Sequence, residues 1–139
     1  MRKAFSLIEL LIVIAILGLL VGFIGPALIS QFGQAKKDLT CTQMGGVSQT
    51  LDMFKLDNGV YPATDEGLEA LITNPDADKY PNYSSTPYFA KGKMPKDSWK
   101  RPFQYIGTGN DFDLISLGAD GKEGGDGESE DIYYSKCQK

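Results

Sequence analysis

From Leu10 to Ile29 the chain runs for 20 residues without a charge. As a helix rising 1.5 Å per residue, such a run spans about 30 Å, the thickness of a bilayer's hydrocarbon core. No other feature constrains the fold as strongly. A cleavable secretory signal would have a shorter apolar region followed by a small-residue cleavage site. Here the run is too long, and Gly25-Pro26-Ala27-Leu28 offers no A-x-A pattern. A plain anchor accounts for the length, with Arg2 and Lys3 holding the N-terminus in the cytoplasm and the rest of the chain outside. It does not account for Glu9. An acid inside a membrane helix costs about 2.5–3.5 kcal/mol on insertion scales and usually has a partner. Arg2 and Lys3 are the only cations near it in sequence. The cheaper solution is a positive group on a second copy of the chain.

Composition removes several function classes. The chain has 139 residues and a net charge of −4. Its lysines and arginines form no stripe, so nothing points to nucleic acid. There is no histidine, which excludes histidine general bases, Ser-His-Asp and Cys-His catalysis, and His-ligated zinc. The two cysteines, Cys41 and Cys137, are too few for a structural zinc site. They are candidates for one disulfide if the C-terminal part faces an oxidising compartment, and otherwise are two unrelated thiols.

Beyond the apolar run the pattern stays helical. Phe32, Ala35, Leu39, Met44, Val47, Leu51 and Phe54 recur mostly at steps of three and four. One helix is therefore expected to continue to Asn58, its second half amphipathic and Gly45-Gly46 its weak point. Asn58-Gly59 stops it, and Pro62 forces Val60 and Tyr61 to be extended. Thr64 reads as the N-cap of a short helix bearing Leu68, Leu71 and Ile72. Residues 75–93, rich in proline and tyrosine, are expected as a surface connection. Trp99 reads as a core cap. Residues 102–106 and 112–117 read as strands around the turn Gly107-Thr108-Gly109-Asn110, a small antiparallel sheet packed on the helix.

The main chemical feature is "LGADGKEGGDGESEDI", residues 117–132. Between Asp120 and Asp131 it holds six carboxylates against Lys122, a net charge of −5. Clustered carboxylates with glycines that turn carbonyls inward suit a hard cation such as calcium. An EF-hand does not fit, since Lys122 and Gly124 fall where oxygen side chains are needed. A calcium-binding nonapeptide repeat does not fit either. A solvated acidic loop is the plain alternative. A second alternative is a membrane-anchored enzyme with Asp120 and Asp131 as acid and base, which predicts a pocket beside them and no polymer.

Three strings resemble one family. "KAFSLIELLIVIAILGLL" looks like the leader and helix start of type IV pilins and type II secretion pseudopilins. "LDMFKLDNGVYPATDEGLEAL" is similar to the major pseudopilins' "LDMYKLDN…YPTTEQGLQAL", and "MPKDSWKRPFQY" resembles their "LPQDPWGNDYQ". The resemblance implies an α+β, type IV pilin-like fold, with a long N-terminal helix packed on a small antiparallel sheet. It implies a leader at residues 1–4, a transmembrane and filament-core segment at 5–29, and a periplasmic domain at 30–139. A prepilin peptidase would cut between Ala4 and Phe5 and methylate Phe5. The family carries glycine before the cut, where this chain has Ala4. Glu9 would then pair with the Phe5 amine of a neighbouring subunit during assembly. In assembled filaments the helix would loosen between Gly18 and Pro26. "SLGADG" and Glu130-Asp131-Ile132 match the family's calcium loop, which implies Ca2+ held by Asp120, Asp131 and the Leu117 carbonyl. Glu130 stands where the family has aspartate, and Asp126 or Glu128 joins as a further candidate ligand in this lengthened loop. The implied function is a structural subunit, not an enzyme, of the secretion pseudopilus. Its partners would be copies of itself, minor pseudopilins, an inner-membrane assembly platform and the peptidase. A type IV pilin or minor pilin serving adhesion, motility or DNA uptake is the alternative, which the Leu51–Pro75 string and the acidic loop disfavour.

Overall fold

The structure is a computed structural model that describes residues 4–138. Arg2 and Lys3, invoked above for orientation, lie outside that range. The chain divides into two units, one ending at Ala35 and one beginning at Lys36.

Helix α1 runs from Leu7 to Asn58 without interruption. It passes Gly18, Gly22, Pro26 and Gly45-Gly46, so none of these breaks it here. In the first unit its apolar side chains are uncovered: Leu10 to Leu20 are about half exposed, and Phe23 is 82% exposed. None of the described residues of that unit supplies a core.

The second unit has its own core. Met44, Val47, Leu51 and Phe54 are completely buried along α1. Each such side chain contributes about 1.5–3 kcal/mol of burial free energy. Leu39, expected on this stripe, is instead 52% exposed, and Thr40 holds the buried position. Phe32 and Ala35, expected on the same stripe, are exposed as well, so the buried stripe begins at Thr40, whose hydroxyl bonds Ser98 (Oγ–Oγ 2.8 Å).

Strands β1 (Gln104–Gly107), β2 (Phe112–Ser116) and β3 (Ile132–Tyr133) form an antiparallel sheet in that order. Tyr105 pairs with Leu114, and Ser116 with Ile132. Tyr105, Leu114 and Ile132 meet the α1 stripe in one cluster with Phe103 and Leu71. Trp99 packs against that cluster, as a core cap should. Helix α2 (Tyr134–Cys137) is a single turn, so Cys137 sits in a helical turn rather than a strand or an extended tail.

Two expectations need correction. Thr64 caps no helix. Its hydroxyl donates to the Gly107 carbonyl and accepts the Gly107 N–H, both at 3.0 Å. The segment stays in turns until a short 3₁₀ stretch, Leu68–Leu71. The pull of the sheet edge outweighs local helix propensity. The connection at 75–93 is also more than surface. Tyr80 is 1% exposed, and the rings of Tyr80, Tyr83 and Tyr88 surround Phe54 at 5.1–6.0 Å. Without strands or long helices of its own, this segment covers one side of α1 with aromatic rings.

Candidate functional site

Two places carry functional residues. The first is the start of α1. Glu9 lies in its first turn, and the Glu9 N–H donates to Ser6 Oγ at 3.3 Å. Ser6 therefore acts as the helix N-cap, and a carboxylate three residues later sits favourably at the positive end of the helix. The S-x-x-E spacing could have shown this from sequence. It explains why an acid is tolerated at this position, though not what neutralises it. Glu9 forms no ion pair among the described residues. Phe5, the residue expected to follow the cut, is 84% exposed.

The second is the acidic loop between β2 and β3. Its glycines are required by the backbone. Gly118, Gly121, Gly124, Gly125 and Gly127 all take positive φ. A Cβ on Gly118 would lie 2.7 Å from the Glu128 carbonyl oxygen and 2.9 Å from that of Glu130, so the two halves of the loop cross there. The Ala119 N–H donates to the Glu128 carbonyl at 2.9 Å and fixes that crossing.

The candidate ligands separate into two sets. Glu128 and Glu130 face α1: Lys36 Nζ lies 3.5 Å from Glu128, and Lys37 Nζ lies 2.6 Å from Glu130. The Lys37 ammonium holds the Glu130 carboxyl below its ordinary range. Asp131 is different. Its Oδ2 accepts the Gly124 N–H at 2.9 Å, while its Oδ1 is buried with no hydrogen-bond partner among the described residues. A buried, unpaired carboxylate oxygen is costly unless a cation or water meets it. Asp120 is exposed, with Oδ1 accepting the Lys122 N–H at 3.0 Å. Asp126 is exposed and starts a turn by accepting the Ser129 N–H on its carbonyl. Leu117, whose carbonyl is the implied donor, directly follows β2 and is half-buried. No three acidic side chains gather into one metal cluster among the described residues. Asp131 Oδ1 is thus a buried oxygen of the kind a hard cation can meet, and the five candidate acids do not form one cage among the described residues.

Sequence reasoning missed the loop's support. Arg101 Nη1 donates to the carbonyls of Gly118 (2.6 Å) and Ala119 (2.7 Å). Buried Asp97 accepts the Trp99 and Arg101 N–H groups on Oδ1 and the Ser116 hydroxyl on Oδ2. No sequence signal marked either residue: Arg101 reaches backbone carbonyls of Gly118 and Ala119, and Asp97 joins nearby N–H groups to the Ser116 hydroxyl, which only the fold brings together. The cysteines, by contrast, are brought together: Cys41 on α1 and Cys137 on α2 form a disulfide with Cα atoms 5.7 Å apart.

The family model for type II secretion system (T2SS) protein G matches residues 27–135. The chain belongs to this family. A second model, the prokaryotic N-terminal methylation motif, matches residues 1–25. Type II secretion system core protein G of Vibrio cholerae is 42% identical over 136 residues, covering 95% of this chain and 92% of that protein. The Pseudomonas aeruginosa core protein G is also 42% identical, covering 94% and 93%. A crystal structure of the major pseudopilin from the type 2 secretion system of enterohaemorrhagic Escherichia coli superposes with a TM-score of 0.59 at 32% identity. It covers 72% of this chain and 86% of that one. The long helix and small antiparallel sheet expected from the sequence are thus the architecture of this protein G chain and its pseudopilin relative, with β3 added as a third strand. The protein G match extends over most of the second unit, where the methylation motif alone would not distinguish a pseudopilin from a pilin.

Proposed function

We infer that this protein is the repeating structural subunit of a type II secretion pseudopilus. It is held in the inner membrane by the first half of α1 and then polymerised into a periplasmic helical filament that drives folded proteins across the outer membrane. The carrying observation is the full-length likeness to core protein G, joined to an α1 whose first half has no core of its own. An uncovered apolar surface of that size needs lipid or another protein against it. Lipid covers it before assembly, and the helices of neighbouring subunits cover it afterwards. Identical subunits in head-to-tail contact generate an open helix.

In this reading the peptidase removes residues 1–4, frees the Phe5 amine and methylates it. Glu9 then supplies the opposite charge for a neighbour's amine. The pair compensates a carboxylate that is costly in the bilayer and also sets the stagger between subunits. Minor pseudopilins and an inner-membrane assembly platform complete the machinery.

Calcium belongs to the same proposal. Asp131, Asp120 and the Leu117 carbonyl would hold it, with Glu128 and Glu130 left to Lys36 and Lys37. The ion supplies a positive charge to a strongly acidic loop and ties residues just after β2 to those just before β3. A ligand that binds only the folded form stabilises it by mass action.

The functional reading is tested by deleting the gene and following a folded cargo of the secretion system. The cargo is expected to accumulate in the periplasm and to return to the medium on complementation. Normal export from the deletion strain would contradict the proposal.

A further inference from the structure

The acidic loop is held by three cations of the chain itself. Arg101 Nη1 bonds two consecutive carbonyls in the first half of the loop, at 2.6 and 2.7 Å. Its guanidinium also lies against Gly121, where a Cβ would come within 2.9 Å of Cζ and Nε. Lys36 and Lys37 take Glu128 and Glu130 in the second half. Arg101 is itself fixed by a closed ring of hydrogen bonds. Its N–H donates to Asp97 Oδ1 (2.8 Å), and Asp97 Oδ2 accepts the Ser116 hydroxyl (2.7 Å). Ser116 Oγ accepts the Gly118 N–H (3.4 Å), and the Gly118 carbonyl accepts Arg101 Nη1. Asp97 and Ser116 are buried at 3% and 0% exposure, so this ring is anchored in the core rather than in the loop.

We propose that Arg101, with Lys36 and Lys37, is a tethered cation set that shapes the acidic loop in the absence of metal. A divalent ion at Asp120 and Asp131 then clamps a loop already folded. The last step rests on the calcium reading above, whereas the role of Arg101 does not. The loop carries a net charge of −5 between Asp120 and Asp131, and three fixed positive charges offset more than half of it. The two exposed lysine pairs are each weak, as surface ion pairs are. The Arg101 bonds are partly buried and charge-assisted, the stronger kind, and they fix the turn from which Asp120 projects. Arg101 is thus a positioning residue, since it touches the loop backbone and not the ion.

The test is amide hydrogen exchange on the full chain in detergent, with EGTA or with calcium, for the wild type, Arg101→Ala and Arg101→Gln. Gln removes the charge and the Nη1 reach while keeping most of the stem, and covers the case in which Ala does not fold. Amides of Met44 and Leu51 on α1 report the core. In EGTA the wild-type Ala119 and Ser129 amides are expected to stay protected. In either variant they are expected to exchange at least tenfold faster with the core unchanged, and calcium is expected to restore part of the protection. Equal loop protection in wild type and variants under EGTA would overturn the proposal. So would a wild-type loop that loses protection in EGTA, a result that leaves the calcium reading intact. If the variants loosen the loop but calcium changes nothing in any protein, the calcium reading fails and the tethered cations stand.

Discussion

Single residues decide two properties of this chain. Asp131 is the acid whose second oxygen has no partner, so it concentrates the case for a cation. Asp131→Asn keeps the shape and removes the charge. It is expected to abolish calcium binding in isothermal titration and to remove the rise in melting temperature that calcium gives the wild type. Calcium binding of undiminished affinity in the variant would remove Asp131 from the ligand set. Glu66 titrates in a different setting. Burial works to raise its pKa, but bonds from Lys79 Nζ, the Tyr80 hydroxyl and the Ala63 N–H outweigh that effect and lower it below the ordinary 4.5. A lowered folded-state pKa gives stability that is complete above the unfolded value and fades as pH falls through the folded one. Glu66→Gln is therefore expected to destabilise the protein at neutral pH and to flatten its loss of stability below about pH 4.5, the unfolded glutamate range. Urea melts at a series of pH values measure both effects. The resemblance of its loop to the family's calcium loop marks Asp131 as a candidate ligand, and calcium titration is what decides that role. Glu66 was not legible from sequence, because its partner Tyr80 lies fourteen residues away in a connection without regular structure.

At the scale of elements, the long helix and the hairpin were legible because their patterns are local. An apolar run and a 3.6-residue stripe define α1, and a Gly-rich turn between apolar stretches defines β1 and β2. The Leu68–Leu71 turn and the tyrosine-rich segment were not legible, since tertiary partners set both. Thr64 is drawn to Gly107 at the sheet edge, and Tyr80, Tyr83 and Tyr88 are drawn to Phe54. Sequence could pair Cys41 with Cys137 only through the compartment expected for the domain, and geometry now places them on α1 and α2. The bond closes a loop with a sequence separation of 96. For loops of that size, the chain-entropy account gives about 4–5 kcal/mol. Replacing both cysteines by serine is expected to lower unfolding free energy by a few kcal/mol on that scale, with α2 and β3 loosening first. Denaturant melts and amide exchange report the two effects, and a double variant as stable as wild type would assign the bond no structural role.

The whole molecule joins two units with different needs. From Lys36 onward the chain buries its own core and closes it with a sheet, a disulfide and a loop held by tethered cations. Among the described residues up to Ala35 it offers an uncovered apolar helix, with Ser6 as its N-cap and Glu9 in its first turn. A free-standing periplasmic protein would have no use for that first unit, and a permanent anchor would have no use for Glu9. The proposed filament subunit would use both, with the same helix resting in lipid and later packing among its neighbours. Electron microscopy of filaments sheared from cells that overproduce the chain with its secretion machinery tests this most directly. Wild type is predicted to give helical filaments built from this chain, and Glu9→Leu to remain in the membrane with no filaments. Filaments of normal number and length from Glu9→Leu, or none from wild type, would contradict the account.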